Sequence, residues 1–192
     1  MLLRVALSSP VKAWGIRELS RMAGTSPALT ILSLRQLQRV GLASRESPRE
    51  ARFLDPVQLL RDWAAWYAMK PVKYYRFSID GVADPNTILN LLSKCRDRLP
   101  GPWALTCMAG ASLVAPFATF SEVHIHLPRA DQLRRSWQDV LHLTPNKLGP
   151  IHLIEPYYAD SGAHGAQVVR KLPVLSDVQL YLDCYRYPVR GR

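Results

Sequence analysis

The sequence predicts an α+β chain in two parts, an N-terminal winged helix-turn-helix over residues 1–70 and a mixed α+β domain over residues 71–192. Three observations lead there. Residues 16–54 (IRELSRMAGTSPALTILSLRQLQRVGLASRESPREARFL) hold two amphipathic segments that meet at Ala23-Gly24-Thr25, then a short basic segment with a tight turn at Ser47-Pro48. Near residues 69–72 the pattern changes, and strand-like runs begin to mix with helical ones. That mixture lacks the regular strand–helix–strand alternation of parallel-sheet proteins.

Composition narrows the function. Apolar residues at 48% and charged residues at 21% are ordinary globular values and exclude general disorder. The net charge of +10 is not ordinary. Residues 1–54 carry nine Lys/Arg (Arg4, Lys12, Arg17, Arg21, Arg35, Arg39, Arg45, Arg49, Arg52) against Glu18, Glu46 and Glu50. This local surplus favours a polyanionic partner, with a solubilising basic surface as the plain alternative. Cys95, Cys107 and Cys184 are odd in number, far apart and form no CxxC pair, as expected of reduced thiols in a cytoplasmic protein. The opening MLLRVALSSP is too short an apolar run for a signal peptide. Residues 99–121 carry no charge and are long enough to cross a bilayer, but Pro100, Gly101, Pro102, Gly110 and Pro116 interrupt them. No membrane partner is expected.

Taken in order, residues 2–8 read as a short apolar helix. Residues 16–23 form the next, with Ile16, Leu19 and Ala23 on one face. Ser26-Pro27 opens the following helix, a capping hydroxyl before a first-turn proline that has no amide to lose. At 100° per residue Leu34, Leu37 and Val40 cluster inward with Thr30 and Ser33, Leu29 lies at the edge, and Gly41 ends the helix. Residues 42–46 and 51–54 read as two wing strands around Ser47-Pro48-Arg49-Glu50. Asp55-Pro56 starts a helix whose stripe of Leu59, Leu60, Trp63, Trp66 and Tyr67 must be buried.

Beyond the border, residues 72–79 predict a strand, and Asp84-Pro85 opens a helix with Ile88, Leu89, Leu92, Cys95 and Leu99 inward. A small-residue helix is expected over 103–114. Residues 121–127 alternate, with Val123, Ile125 and Leu127 on one face and Glu122, His124 and His126 on the other. Ala130, Leu133, Trp137, Val140 and Leu141 mark another helix. Residues 151–154 and 167–172 are candidate strands, and Ser176 caps a last helix with Val178, Tyr181, Leu182 and Tyr185 inward.

The DNA-binding candidates are Thr25 and Ser26 in the turn, Ile31, Leu32, Arg35, Gln36 and Arg39 on the second helix, and Arg45, Arg49 and Arg52 on the wing. A guanidinium can grip a guanine edge and a carboxamide an adenine edge, while wing arginines neutralise phosphates. The wheel puts Ile31 and Leu32 on the outer face, where they either meet thymine methyls or dock on a protein. His124, His126 and His152 could share a sheet face and bind zinc. With no carboxylate or cysteine ligand evident, a polar sheet surface or basic partner patch is the preferred reading, and no metal is expected. Glu122, Glu155, Lys147 and Lys171 fit no nuclease spacing. There is no G-x-S-x-G, P-loop, G-x-G-x-x-G or H-E-x-x-H, so neither a cofactor nor enzyme activity is expected. The tyrosines at 157, 158, 181, 185 and 187 suit core packing, with an exposed subset for a protein interface.

The run RELSRMAGTSPALTILSLRQLQRVGLASRE, then RFLDP and LLRDWAAWY, resembles AbiEi-type antitoxins, winged-helix regulators of type IV toxin–antitoxin (abortive infection) systems. ALTCMAGASLVAP (residues 104–116) and SDVQLYLDCYRYPVRG (residues 176–191) are similar to stretches of the same family, so the likeness spans nearly the whole chain. The resemblance implies a DNA-binding N-terminal domain that represses the protein's own operon; the DNA partner is expected to be a double-stranded operator with an inverted repeat, and a homodimer is one open possibility. The resemblance also implies a C-terminal domain that counteracts a nucleotidyltransferase-like toxin, with no catalysis of its own. Family members continue past the Arg-Gly dipeptide, so a short extension beyond Arg192 is expected.

Overall fold

The structure is a computed structural model that describes every residue except Pro48, Phe117, Ala118, Ala159, Asp160 and 188–192. Pro48 of the expected turn and the end of the last family-like stretch thus lie outside the described residues. The fold is mixed α+β with two sheets, in two compact units, Met1–Tyr67 and Ala68–Arg192. The sequence placed its border at 70/71. No helix among the described residues is long and apolar enough to cross a membrane.

In the first unit, α1 (Leu2–Leu7) buries Val5, Ala6 and Leu7. Arg4 is buried too, its guanidinium 5.0 Å from the Trp63 ring centroid. It therefore belongs to the core and drops out of the basic surface that the sequence suggested. β1 (Trp14–Gly15) precedes α2 (Ile16–Met22), and α3 (Pro27–Arg39) follows after a turn at Gly24, φ 61°. Ser26 Oγ accepts the Leu29 amide at 3.2 Å, the cap that the Ser-Pro pair foretold. Gly41 adopts φ 75°, the left-handed stop expected of it. β2 (Ala43–Ser47) and β3 (Glu50–Phe53) pair antiparallel with a register shift between Ser44 and Ser47. β1 adds a third strand, Trp14 opposite Ala51, giving the order β1-β3-β2. Asp55 Oδ1 accepts the Gln58 amide at 2.8 Å and starts α4 (Pro56–Ala68). Two inward assignments fail: Val40 is 66% exposed and Trp66 40% exposed. Val40 is the residue that caps α3, where the helical wheel no longer holds.

The second unit is built on a seven-stranded mixed sheet. Its strands in chain order are β4 (Lys73–Ser78), β5 (Ala104–Thr106), β6 (Val123–His126), β7 (Thr144–Pro145), β8 (Ile151–Glu155), β9 (Gln167–Val169) and β10 (Leu172–Val174). Across the sheet they lie β7-β4-β8-β6-β5-β10-β9. Of the helices, α5 (Pro85–Cys95) and α7 (Ala130–Leu141) touch each other, and so do α6 (Cys107–Val114) and α8 (Asp177–Arg186). Each pair also packs on the strands, and every residue of β5 and β6 is buried. Asp84 caps α5 through the Thr87 amide (2.8 Å), and Ser176 caps α8 through Gln179 (3.4 Å), both as expected. Trp137 is fully buried, donates from Nε1 to the Pro100 carbonyl (3.1 Å) and meets Trp103 edge-on at 5.5 Å.

Three expectations are corrected here. The helix expected over 103–114 starts as strand β5, and the chain turns into α6 at Cys107, φ 50°; a short, fully buried strand carries no alternation to betray it. The strand expected over 167–172 is a hairpin, with Arg170 and Lys171 at φ 49° and 68° joining β9 to β10. In α8 the inward residues are Gln179, Leu180, Leu182 and Asp183, while Tyr181 and Tyr185 are more than a third exposed. Asp183 turns inward because two buried donors need it: Thr106 Oγ1 donates to Oδ2 at 2.6 Å and Gln179 Nε2 to Oδ1 at 2.7 Å. Removing the acceptor strands both donors. We expect Asp183→Ala to lower the unfolding free energy by about 2–3 kcal/mol in urea titration, and a change below about 0.5 kcal/mol, the surface range, would dismiss the network.

Candidate nucleic-acid interface and a buried histidine pair

Between α2 and α3 the Thr25 hydroxyl is 2.9 Å from that of buried Thr30, so it ties the turn to the helix. Ser26, exposed, spends its hydroxyl on the cap. Along α3, Leu29, Leu32, Arg35, Gln36 and Arg39 are exposed, while Thr30 and Leu34 are fully buried. There is no acid anywhere in α3. Ile31 departs from its expected place. It is half-buried and lines a depression with Pro27, Arg17 and Arg49 but also Glu18 and Glu50.

That depression brings the start of α3 beside the β2–β3 turn. The turn is anchored by its backbone, since the Ile16 amide donates to the Arg49 carbonyl (2.8 Å) and the Arg49 amide to Ser47 Oγ (3.2 Å). The Arg49 side chain remains exposed. The three arginines of the β2–β3 hairpin are not equivalent: Arg52 is exposed opposite Ser44, whereas Arg45 is half-buried with its Nε shielded from solvent. Lys12 is drawn into an ion pair with Glu18 at 2.6 Å. The exposed arginines of this unit are thus Arg17, Arg21, Arg35, Arg39, Arg49, Arg52 and Arg61.

The second concentration of chemistry lies in the sheet of the larger unit. Strand register aligns Arg76, His152, His124 and Thr106 in one row across β4, β8, β6 and β5. Residues opposite one another share a face, and this face meets α8, where Asp183 takes Thr106 and the Tyr187 ring sits 4.4 Å from that of His124. His124 and His152 are 1% and 0% exposed, with ring centroids 4.4 Å apart. The expected polar sheet surface is therefore a buried layer, because α6 and α8 cover it.

Glu122, two residues before His124, reaches the same face. Its Oε1 is 3.4 Å from His152 Nε2, and its Oε2 is 4.0 Å from His124 Nε2. Tyr187 Oη donates to Oε2, and Arg76 Nη2 stands 3.8 Å from Oε1 while its Nη1 donates to the Lys147 carbonyl (3.0 Å). Burial, with His152 and Arg76 adding to it, pushes the His124 imidazolium down to about 3. Burial also lowers His152, against the pull of Glu122, and raises the Tyr187 phenol above its usual range. Both imidazoles are thus held toward the neutral form, with the Glu122 backbone facing His124, and the Glu122 carboxylate and Gly149 backbone facing His152. A cavity of about 250 Å³, lined by Met108, Phe120, Ser121, Glu122, His124 and Tyr187, opens beside them.

His126, on the same strand, lies apart from this group, against Gly162. Glu155 is bound to Lys73 (2.8 Å) and to the Asp131 amide (2.9 Å), so it shares no site with Glu122. The carboxylate that the sequence reading found missing is Glu122, and its i, i+2 spacing to His124 on an alternating strand was the available signal. Models of known protein families, curated proteins and solved structures give no match to this chain.

Proposed function

We propose that the first unit is a winged helix-turn-helix and that the protein is a DNA-binding transcriptional repressor of the antitoxin type, acting on its own operon. The observation that carries this reading is α3, an acid-free helix exposing Leu29, Leu32, Arg35, Gln36 and Arg39 beside a backbone-anchored turn that bears Arg49. α3 enters the major groove, where Arg35, Gln36 and Arg39 read base edges and Leu32 packs on thymine methyls. Arg49 and Arg52 hold phosphates. Thr25 and Ser26 shape the turn. Arg45, half-buried, is the weakest of the candidate contacts. The larger unit counteracts a nucleotidyltransferase-like toxin, as the family resemblance implies.

Fluorescence anisotropy with duplexes from the protein's own upstream region tests the DNA half. An inverted repeat there is expected to bind at least about 10³-fold more tightly than random duplex at physiological salt. Equal affinity for both would defeat the repressor reading and leave the second one. In that reading the same helix docks on a protein, which the exposure of Leu29, Leu32 and Val40 at 52%, 56% and 66% favours. Co-expression with the neighbouring gene tests the antitoxin half. Rescue of growth by the full chain is expected, and absence of rescue counts against it.

A further inference from the structure

We propose that Glu122, His124 and His152 form a binding site for a zinc-class divalent cation, with one coordination position left open to the adjoining cavity. The site is independent of the DNA-binding reading and lies within the larger unit.

Four features of the geometry carry it. First, the three candidate ligand atoms, one from each side chain, lie within 4.8 Å of one another. Tetrahedral ligands at zinc–nitrogen and zinc–oxygen distances stand about 3.3 Å apart. His152 Nε2 lies 3.4 Å from Glu122 Oε1 and His124 Nε2 4.0 Å from Oε2, so the carboxylate faces both rings, and the set is within about 1.5 Å of tetrahedral spacing. Second, the two imidazoles sit opposite each other on adjacent parallel strands, buried, with ring centroids 4.4 Å apart, so the backbone register itself brings two nitrogen donors together beside Glu122.

Third, the donor set selects the ion. Two imidazoles and one carboxylate suit zinc and its first-row neighbours, whereas magnesium and calcium take oxygen. Fourth, a hydrogen bond that holds the carboxylate and an entry path are present. Tyr187 donates to Glu122 Oε2 and so orients the carboxylate, leaving Oε1 toward His152. The cavity beside Glu122 and His124 admits the ion and has room for water or a small anion at the fourth position. One neighbour opposes the cation. Arg76 Nη2 lies 3.8 Å from Oε1, and its charge weakens binding.

The test uses tag-free, full-length protein stripped with a chelator and titrated with zinc sulfate by calorimetry, then with cobalt(II) by absorption spectroscopy. The expected result is close to one zinc per chain, and cobalt d–d bands of four- or five-coordinate intensity. His152→Gln and His124→Asn are each expected to weaken zinc at least 100-fold. Glu122→Gln, at a partly exposed position that spares the core, is expected to weaken it at least 10-fold with an unchanged circular dichroism spectrum. Arg76→Ala is expected to tighten binding several-fold, which a merely structural role for the cluster would not produce. His164→Ala serves as a histidine deletion outside the set and is expected to change nothing. Stoichiometry well below one per chain overturns the proposal, as does zinc binding that survives Glu122→Gln and His124→Asn undiminished.

Discussion

The double variant Arg35→Ala/Arg39→Ala is expected to lose the upstream operator almost completely while its fold stays intact. Both side chains are exposed, one turn apart on α3, and neither touches the core that Leu34 and Thr30 make beneath them. A bidentate arginine–guanine contact discriminates by about 1–3 kcal/mol. Two such contacts, taken as additive, give a loss of about 30-fold to 10⁴-fold on the operator at fixed salt. Affinity for random duplex should fall far less, since only phosphate attraction is lost there. Arg52→Ala supplies the contrast. It should weaken operator and random duplex alike and flatten the plot of log K against log salt by about one unit. Anisotropy titrations at several salt concentrations separate the two behaviours. If the double variant lowers both duplexes equally, α3 supplies charge without reading bases. If it lowers neither, the helix is not at the DNA.

The parts of the fold that were legible in the sequence are those written in local chemistry. Ser26-Pro27, Asp55-Pro56, Asp84-Pro85 and Ser176 each foretold a helix start, and each side chain accepts the amide that such a cap exists to satisfy. Gly24 and Gly41 marked chain reversals that need a positive φ. What escaped notice depends on partners far away in sequence. β5 and α6 merge in one small, apolar run, and only pairing with β6 and β10 decides which part is strand. β1 and β7 are two residues long and exist because β3 and β4 present free edges to them.

The histidine layer shows the same limit. Alternation put Glu122, His124 and His126 on one face, but the rule that one face of an antiparallel strand is wet does not apply to β6, which lies parallel to β8 between two helix layers. Once both faces are buried, a polar residue signals a network rather than a surface. Asp183 follows suit: α8 turns it inward against the hydrophobic wheel because Thr106 and Gln179 already wait there. On α3 the reverse occurs. Leu29 and Leu32 are apolar yet exposed, as is Val40 at the cap, so apolar character alone does not predict burial on this helix.

Gly149→Ala is expected to have the largest effect on stability of any single-methyl addition in the larger unit. A Cβ at this position would lie 2.1 Å from the Phe77 carbonyl oxygen, 2.3 Å from its carbon and 2.9 Å from the Ser78 amide nitrogen. All three are backbone atoms of β4, so no side chain can swing aside. The chain passes so close because the loop before β8 is folded against that strand. Asn146 donates its amide to the Arg76 carbonyl (3.1 Å), and Gly149 donates its own to Asn146 (3.0 Å). Phe77 also pairs with both Pro145 in β7 and Ile151 in β8. Relief of the clash must therefore pull the loop off β4 and undo pairing on both sides of Phe77, a buried core residue. Overpacking typically costs about 1–3 kcal/mol where side chains can yield; with backbone on both sides the loss should reach the top of that range or pass it. Urea unfolding followed by tryptophan fluorescence measures this directly, with Leu148→Ala, at a neighbouring 88% exposed position, as the control that should change little. Because β8 also carries His152, the same variant should weaken zinc binding without altering any proposed ligand. A stable Gly149→Ala protein, within about 0.5 kcal/mol of the parent, would mean that the loop does not lie against β4 as described.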